Sequence, residues 1–468
     1  MTCCARRLSL GVTESVCPEC LATIPAERIV EGDAVYLRKT CPEHGTTSTP
    51  IWRGLDSYLL WGQAPRAFSR PPVAATPVAR GCPHDCGLCP DHRQQSCCVL
   101  LEVTSRCDLA CPVCYASAAR RGEDASLAEI EGWLDTLKQS GGRVHIQLSG
   151  GEPTVRDDLP EIVALVRSRG FDFVQLNTNG VRLAKDPALV AELAKAGLDV
   201  VFLQFDGVDD DAHRALRGAK LMRLKTQAVD ACAEAGIGVV LTPTLVPGVN
   251  VDAIGAIVDF AVARIPGVRA VHFQPVSYFG RCLAAPGAAS RITLPEVMQA
   301  LIAHSGGSIR LADFRPGSAE NPYCSFSGRF VVDEAGRLSA AAEAPASCCG
   351  VPSAQQKTSC CGSTRPSAEV ARERRYVAGQ WTRPDRDPAD AAGLEAFDAF
   401  LDRRERTLGL SGMAFQDAWT LDVERLRQCH IHVVAPDRRV IPFCAYNLTA
   451  RDGRALYRAA ARVSEAAG

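Results

Sequence analysis

Three cysteines in Cys107-Asp-Leu-Ala-Cys111-Pro-Val-Cys114-Tyr115 are spaced C-x3-C-x2-C. A loop of that spacing can bring three thiolates to three irons of a cubane 4Fe–4S cluster. Three ligands for four irons leave one metal open, which is what a catalytic metal site requires. The spacing by itself also permits a structural zinc site. Just upstream, Cys82, Cys86, Cys89 and Cys97 follow C-x3-C-x2-C-x7-C. Four thiolates close a cluster completely, which suits electron transfer or structural support, with zinc as the runner-up. Cys98 competes with Cys97 for the fourth place, because adjacent side chains on a strand point to opposite faces. Farther upstream, Cys17-Pro-Glu-Cys20 and Cys41-Pro-Glu-His44 form two knuckles. Three thiolates and one imidazole suit a single tetrahedral ion, zinc or a rubredoxin-like iron.

The chain has 22 cysteines, 13 of them at or before Cys114. Their grouping in short clusters points to metal ligation rather than disulfides. With 468 residues, 47% hydrophobic and 22% charged, the chain is expected to be soluble, globular and divided into several domains. A net charge of −1 gives no electrostatic footprint for nucleic acid or an anionic membrane. The least charged stretch, 236–251, is interrupted by Pro243 and Pro247 and is too short to span a bilayer. No apolar core of a secretory signal follows residues 1–7, so a cytoplasmic location is expected.

These ligands need elements to position them. Short apolar strands are expected at 99–104, 144–148, 173–177, 200–205, 239–242 and 270–274. Helical patterns fall between them at 127–139, 158–168, 187–196, 224–235 and 253–263. Such repeats are parallel βα units. Six of them predict an α/β fold, a partial (β/α)6 barrel whose working edge is the C-terminal ends of its strands. The 107–114 loop then follows the first strand, and Gly150-Gly151-Glu152-Pro153 follows the second. Glycines there let the backbone approach a ligand closely, and Glu152 offers an acceptor for a ligand ammonium. An ordinary strand-end turn is the plain alternative. Around this core, 107–280, the sequence divides into a rubredoxin-like metal module, 1–63, and a linker with an auxiliary-cluster segment, 64–106. A C-terminal α+β auxiliary region, 281–468, completes the chain. It carries a Cys-rich insertion, 340–367, an expected helix, 394–408, and an apparent hairpin between Cys429 and Cys444.

The two motifs at this spacing resemble the radical SAM superfamily, over about residues 99–280. The resemblance implies that Cys107, Cys111 and Cys114 are the catalytic cluster ligands and that S-adenosylmethionine chelates the open iron. One electron then cleaves the cofactor to a 5′-deoxyadenosyl radical, which abstracts hydrogen from an unactivated carbon. An electron donor such as ferredoxin or flavodoxin is implied with it. Tyr115 would lie near the adenine, and Gly150, Gly151 and Glu152 would bind the methionyl amine. Asn177, Asn179, Asp206, Thr242, Thr244 and Gln274, at later strand ends, are candidates for polar contacts near the cofactor. Each also reads as a loop cap.

Residues 16–45 and 81–115, with the tail from Phe415-Gln-Asp-Ala-Trp419 to Ile441-Pro-Phe-Cys-Ala-Tyr-Asn447, resemble one subfamily. It comprises the archaeal tetraether lipid synthases and the related radical SAM pterin methyltransferases. Membership implies joining or alkylating unactivated carbons of a lipid or small molecule. It also implies an N-terminal mononuclear metal and one or two auxiliary clusters, with Cys324, Cys429 and Cys444 among the ligands. Relatives carry a second cysteine near Cys324, where this chain has Ala319. Cys3-Cys4, Cys348-Cys349 and Cys360-Cys361 fall outside the pattern; vicinal thiols suit soft metals or metalloids, or redox chemistry. Two alternatives follow: a radical enzyme whose soft metal or metalloid substrate is held by vicinal cysteines, and a thiol-rich metal-binding sensor. The sensor leaves the Glu152 turn and the βα units without a purpose.

Overall fold

Four strands at the N-terminus, β1 (Leu8–Val16), β2 (Thr23–Glu31), β3 (Ala34–Cys41) and β4 (Gly45–Arg53), form an antiparallel meander. In β3, Val35 and Leu37 are fully buried while their neighbours are not, the period-two pattern of a sheet with one covered face. The β1–β2 and β3–β4 turns lie at the same end of this sheet. They hold the two knuckles.

The computed structural model describes residues 8–64, 68–142, 144–282, 286–317, 319–341, 368–382 and 406–458. A second sheet contains β5 (Cys98–Thr104), β6 (His145–Gly150), β7 (Val174–Thr178), β8 (Val200–Gln204), β9 (Gly238–Thr242), β10 (Thr244–Leu245), β11 (Val268–Pro275), β12 (Ser325–Val332), β13 (Leu338–Ala340), β14 (Thr407–Met413), β15 (Ile431–Val434) and β16 (Val440–Pro442). Its order is β13-β12-β14-β11-β9-β8-β7-β6-β5-β15-β16, with β10 beside β11. The six expected strands are β5–β9 and β11, all mutually parallel. Runs such as Val239-Val240-Leu241 are wholly buried, as strands covered on both faces must be.

Helices Leu127–Gln139, Leu159–Ser168, Pro187–Ala196, Met222–Glu234 and Ile254–Val262 connect the parallel strands. The first starts on a capping box between Ser126 and Glu129. The third stops at Gly197, whose φ of 96° only glycine adopts freely.

The C-terminal region departs from expectation. It donates strands to both edges of the parallel sheet: β14 runs parallel to β11, and β15 parallel to β5. The expected helix 394–408 is corrected at its end, because Thr407 and Leu408 belong to β14. Pairing with β11 and burial of Leu408 and Leu410 decide in favour of strand. The rest of that helix, most of the 340–367 insertion and the pairs Cys3-Cys4, Cys348-Cys349 and Cys360-Cys361 lie outside the described residues. The hairpin between Cys429 and Cys444 is β15–β16.

Two further features shape the interior. The segment before β12 meets the segment before β15, through Asn321 Nδ2 donating to Gln428 Oε1 at 2.7 Å. Helix Ala368–Trp381, which the sequence reading did not anticipate, packs Val377, Ala378 and Trp381 on Phe173, Val200, Phe202, Val240 and Ala270. Among the described residues, no helix is long and apolar enough to cross a membrane.

Candidate active site

Beyond Thr104, where β5 ends, the chain makes the loop that carries Cys107, Cys111 and Cys114. All three line one end of an internal cavity, and none is in a disulfide. Backbone bonds fix the loop: Cys107 N to Ala119 O at 2.8 Å, and Cys114 N to Arg281 O at 2.9 Å. Two arginines grip it. Arg281 Nε donates to Cys111 O at 2.7 Å, and Arg217 Nη1 to Val113 O at 3.1 Å. Burial raises the Cys111 thiol and pushes that of Cys107 up to about 12. A donor set of three thiols on one loop, facing one cavity, fits a cubane cluster with an open iron.

The Gly150–Gly151–Glu152 turn sits beside that loop. A Cβ on Gly150 would overlap the Thr104 carbonyl oxygen, and one on Gly151 the Arg106 carbonyl oxygen. The glycines therefore serve a close docking of turn on loop, where the sequence suggested close approach to a ligand. Gly151 N and Glu152 N donate to those same carbonyls, each at 2.8 Å. Glu152 is only 2% exposed. Its Oε1 accepts from Thr154 N, Thr154 Oγ1 and Thr178 Oγ1, and its Oε2 from Asn179 N at 2.6 Å. The expected open acceptor is thus largely engaged within the chain, tying the end of β7 to the turn.

Tyr115, Asn177, Asn179, Thr242 and Gln274 also line the cavity. The Tyr115 hydroxyl is 2.9 Å from Ser149 Oγ, which also accepts from Asn177 Nδ2 at 3.3 Å. Asn179 Nδ2 donates to Asp108 Oδ1 at 2.7 Å, and Thr242 Oγ1 to Leu203 O at 2.9 Å. Asp206 is a correction. It is fully buried and does not reach the cavity, and both its oxygens pair with Arg217, at 2.6 and 2.7 Å. Burial would raise this carboxyl, but the guanidinium outweighs it and holds the group below its usual value. Arg217 lines the cavity instead and was missed, since nothing local in the sequence links it to Val113. For Arg281 one local signal existed, Gly280, whose φ is 54° and whose Cβ would crowd the Cys114 and Tyr115 carbonyls.

The cavity has a volume of about 280 Å³ and runs from the three thiols into the barrel. Four glutamines line it, Gln147, Gln175, Gln204 and Gln274, with His145, His272, Phe202 and Trp381 deeper in. The Phe202 and Trp381 rings meet edge to face, 4.9 Å apart. Burial pushes His145 down to about 3 and His272 to about 4, so both imidazoles are neutral.

A family model described as the radical SAM superfamily matches residues 101–261, and one described as the HMPTM N-terminal zinc ribbon domain matches 9–53. The chain is 33% identical over 471 residues to a 7,8-dihydro-6-hydroxymethylpterin dimethyltransferase of Methanocaldococcus jannaschii, covering 93% of each chain. The chain belongs to this family of radical SAM enzymes. A PqqA peptide cyclase of Streptomyces rochei is 35% identical over 184 residues, 39% of this chain and 49% of its own. Among solved structures, Streptococcus suis SuiB bound to S-adenosylmethionine overlaps 46% of this chain and 48% of its own, at 19% identity and a TM-score of 0.37.

The remaining thiols of this radical SAM enzyme fall into three places. At the tips of the meander, the ligand atoms of Cys17, Cys20, Cys41 and His44 all lie within 4.8 Å of one another, which fits one tetrahedral ion. Cys41 Sγ is 3.4 Å from His44 Nδ1. Cys82, Cys86 and Cys89 form a second group, in which the Cys86 thiol is raised by donating a hydrogen bond to Cys82, by burial, and by the charges of Cys82, Cys89 and Cys429. The expected fourth ligand of this group, Cys97, lies just before β5. It packs on Ala319, takes a hydrogen bond from Arg374 and lines the large cavity together with Cys98. The chain bends at Cys97, so strict alternation of side chains does not separate it from Cys98. Cys324, Cys429 and Cys444 line a smaller cavity that shares a wall with the large one.

Proposed function

We propose that this radical SAM enzyme alkylates a carbon of a small, neutral, planar heterocycle held in the barrel beneath Cys107, Cys111 and Cys114. The observation that carries the reading is the cavity itself: four glutamines line it, together with Val377 and Trp381 of helix Ala368–Trp381. A lipid chain asks for a long apolar tunnel, whereas carboxamides offer paired donors and acceptors to a polar ring edge. The pterin named for the methanogen relative is a molecule of this kind. A 4Fe–4S cluster and S-adenosylmethionine, when bound, supply one electron to a sulfonium and so a carbon radical that removes hydrogen from a C–H bond. The protein's own residues hold and orient. The three thiolates ligate the cluster, and Arg281 and Arg217 set the loop. The Gly150–Glu152 turn, Tyr115 and Asn177 border the cofactor, while Thr242 and Gln274 look across to the substrate. Phe202 and Trp381, packed edge to face on each other, offer an apolar wall to a flat ring, and neutral His145 and His272 exchange hydrogen bonds with it without placing charge nearby. We assign a mononuclear zinc to Cys17, Cys20, Cys41 and His44, and an auxiliary cluster to Cys82, Cys86 and Cys89. A small one-electron carrier protein serves as donor.

Anaerobically reconstituted protein with reductant and S-adenosylmethionine is expected to release 5′-deoxyadenosine. Cys107→Ala, Cys111→Ala and Cys114→Ala abolish this. Adding 6-hydroxymethyl-7,8-dihydropterin raises the yield, and the deuterated pterin passes deuterium into 5′-deoxyadenosine, read by mass spectrometry; an isoprenoid or acyl lipid does neither. Stimulation by the lipid alone would overturn the proposal. The soft-element reading has one supporting observation, the Cys97 and Cys98 thiols in the cavity wall. Trivalent arsenite stimulating 5′-deoxyadenosine release, with loss in Cys98→Ser, would favour it over the pterin.

A further inference from the structure

We propose that Glu320 supplies the fourth protein ligand of an auxiliary iron–sulfur cluster held by Cys324, Cys429 and Cys444. The three cysteines come from distant segments, before β12, before β15 and after β16, and converge on one small cavity. Two of their sulfurs already accept hydrogen bonds from the protein. Arg425 donates to Cys324 Sγ from Nε and from Nη2, each at 3.4 Å, and Gln416 N donates to Cys444 Sγ at 3.2 Å. N–H groups and a guanidinium aimed at sulfur match thiolates in a metal site, whose charge and ligand strength such donors tune.

Among the described residues, only the Cys17, Cys20, Cys41 and His44 set has all its donor atoms within 4.8 Å. The looser spread of Cys324, Cys429 and Cys444 suits a cluster better than a single ion. Among the described residues, this cavity has no fourth thiol, and Ala319, fully buried against Cys97, offers no donor. Glu320 fills that gap. It lines the same cavity and is 6% exposed. Its Oε1 accepts from Ser325 Oγ. Oε2 takes no hydrogen bond of acceptable geometry and lies 3.2 Å from His430 Nδ1. A buried carboxylate oxygen left this way is costly in an apolar surround, and coordination to a metal removes the cost. Gly317 makes room for it, since a Cβ there would overlap the Glu320 carboxyl group. Glu320 also lines the large cavity, so it stands in the wall between the two.

The test uses the full-length chain carrying Cys107→Ala, Cys111→Ala and Cys114→Ala, which silences the first cluster. Iron and acid-labile sulfide are counted, and the oxidised and reduced forms are examined by EPR and Mössbauer spectroscopy. Cys324→Ala and Cys444→Ala are expected to lose about four irons and about four sulfides per chain. Glu320→Ala keeps the sulfide but loses about one iron, and shows the signal of an oxidised three-iron cluster. Glu320→Cys restores the four-iron form. If the cysteine variants do not fold, the Glu320→Ala and Glu320→Cys pair, which keeps all three thiols, still decides. Unchanged iron and spectra in Glu320→Ala would overturn the proposal, as would zinc in place of iron at this site. None of these readouts depends on the substrate.

Discussion

Asp206 and Arg217 illustrate how one misplaced role at the residue scale exposes another. The carboxylate was expected at the cofactor, and instead it holds, in a fully buried pair, the arginine that grips the cluster loop. Removing one partner of such a pair costs about 3–5 kcal/mol, because the other is left charged and unpaired. Asp206→Asn is therefore expected to lower the unfolding free energy by that amount, read from the midpoint and slope of anaerobic urea unfolding. Glu152→Gln is milder. It sets an NH2 group against donors that now meet carboxylate oxygen, and is expected to weaken S-adenosylmethionine binding about tenfold, or 1.4 kcal/mol. Equilibrium dialysis with labelled cofactor reads the affinity, and an unchanged iron count separates this from loss of the cluster. The thiols were legible because their spacing is local. Arg217 was not, because it and Val113 are 104 positions apart.

At the scale of elements, the six βα units were readable from alternation of apolar runs and amphipathic stretches. The strand β14, the docking of the β15–β16 hairpin on β5 and the helix Ala368–Trp381 were not. β14 has glycines at 409 and 412, weak strand formers alone, that fit here only because Ala270 and Phe326 press close. Helix Ala368–Trp381 owes its place to the barrel residues that receive Val377 and Trp381. Trp381→Ala is expected to destabilise by about 2–3 kcal/mol, less than for full burial of the ring. It is also expected to release more 5′-deoxyadenosine per alkylated product, since the substrate then sits loosely. Quantifying both products from one reaction checks this.

At the scale of the whole molecule, the N-terminal meander is clamped to the C-terminal tail. Lys39 Nζ donates to Ala418 O at 2.6 Å, and Arg28 pairs with Asp422 and Glu424. Losing the knuckle ion is therefore expected to expose more than the first fifty residues. Cys20→Ser should open both the 8–53 and 415–430 segments to limited proteolysis, read by mass spectrometry. Acid offers a second whole-molecule test. His145 and His272, depressed by burial to about 3 and 4, protonate near 6.5 when unfolded. The unfolded chain thus binds more protons between those values, and stability falls as pH drops from about 6.5 toward 4, by up to about 1.4 kcal/mol per unit for each imidazole. His272→Phe should flatten that slope in urea titrations across the window.

Local spacing alone determined the cluster loop, the knuckle ligands and the parallel core, because loops that ligate metal and strands buried on both faces impose patterns within a few residues. Which cysteine joins which group, which arginine steadies the loop and what shape the cavity takes depended on contacts between segments far apart in the chain. Those follow from how the C-terminal strands and the plugging helix pack on the barrel, and packing of that range leaves no periodic mark in the chain.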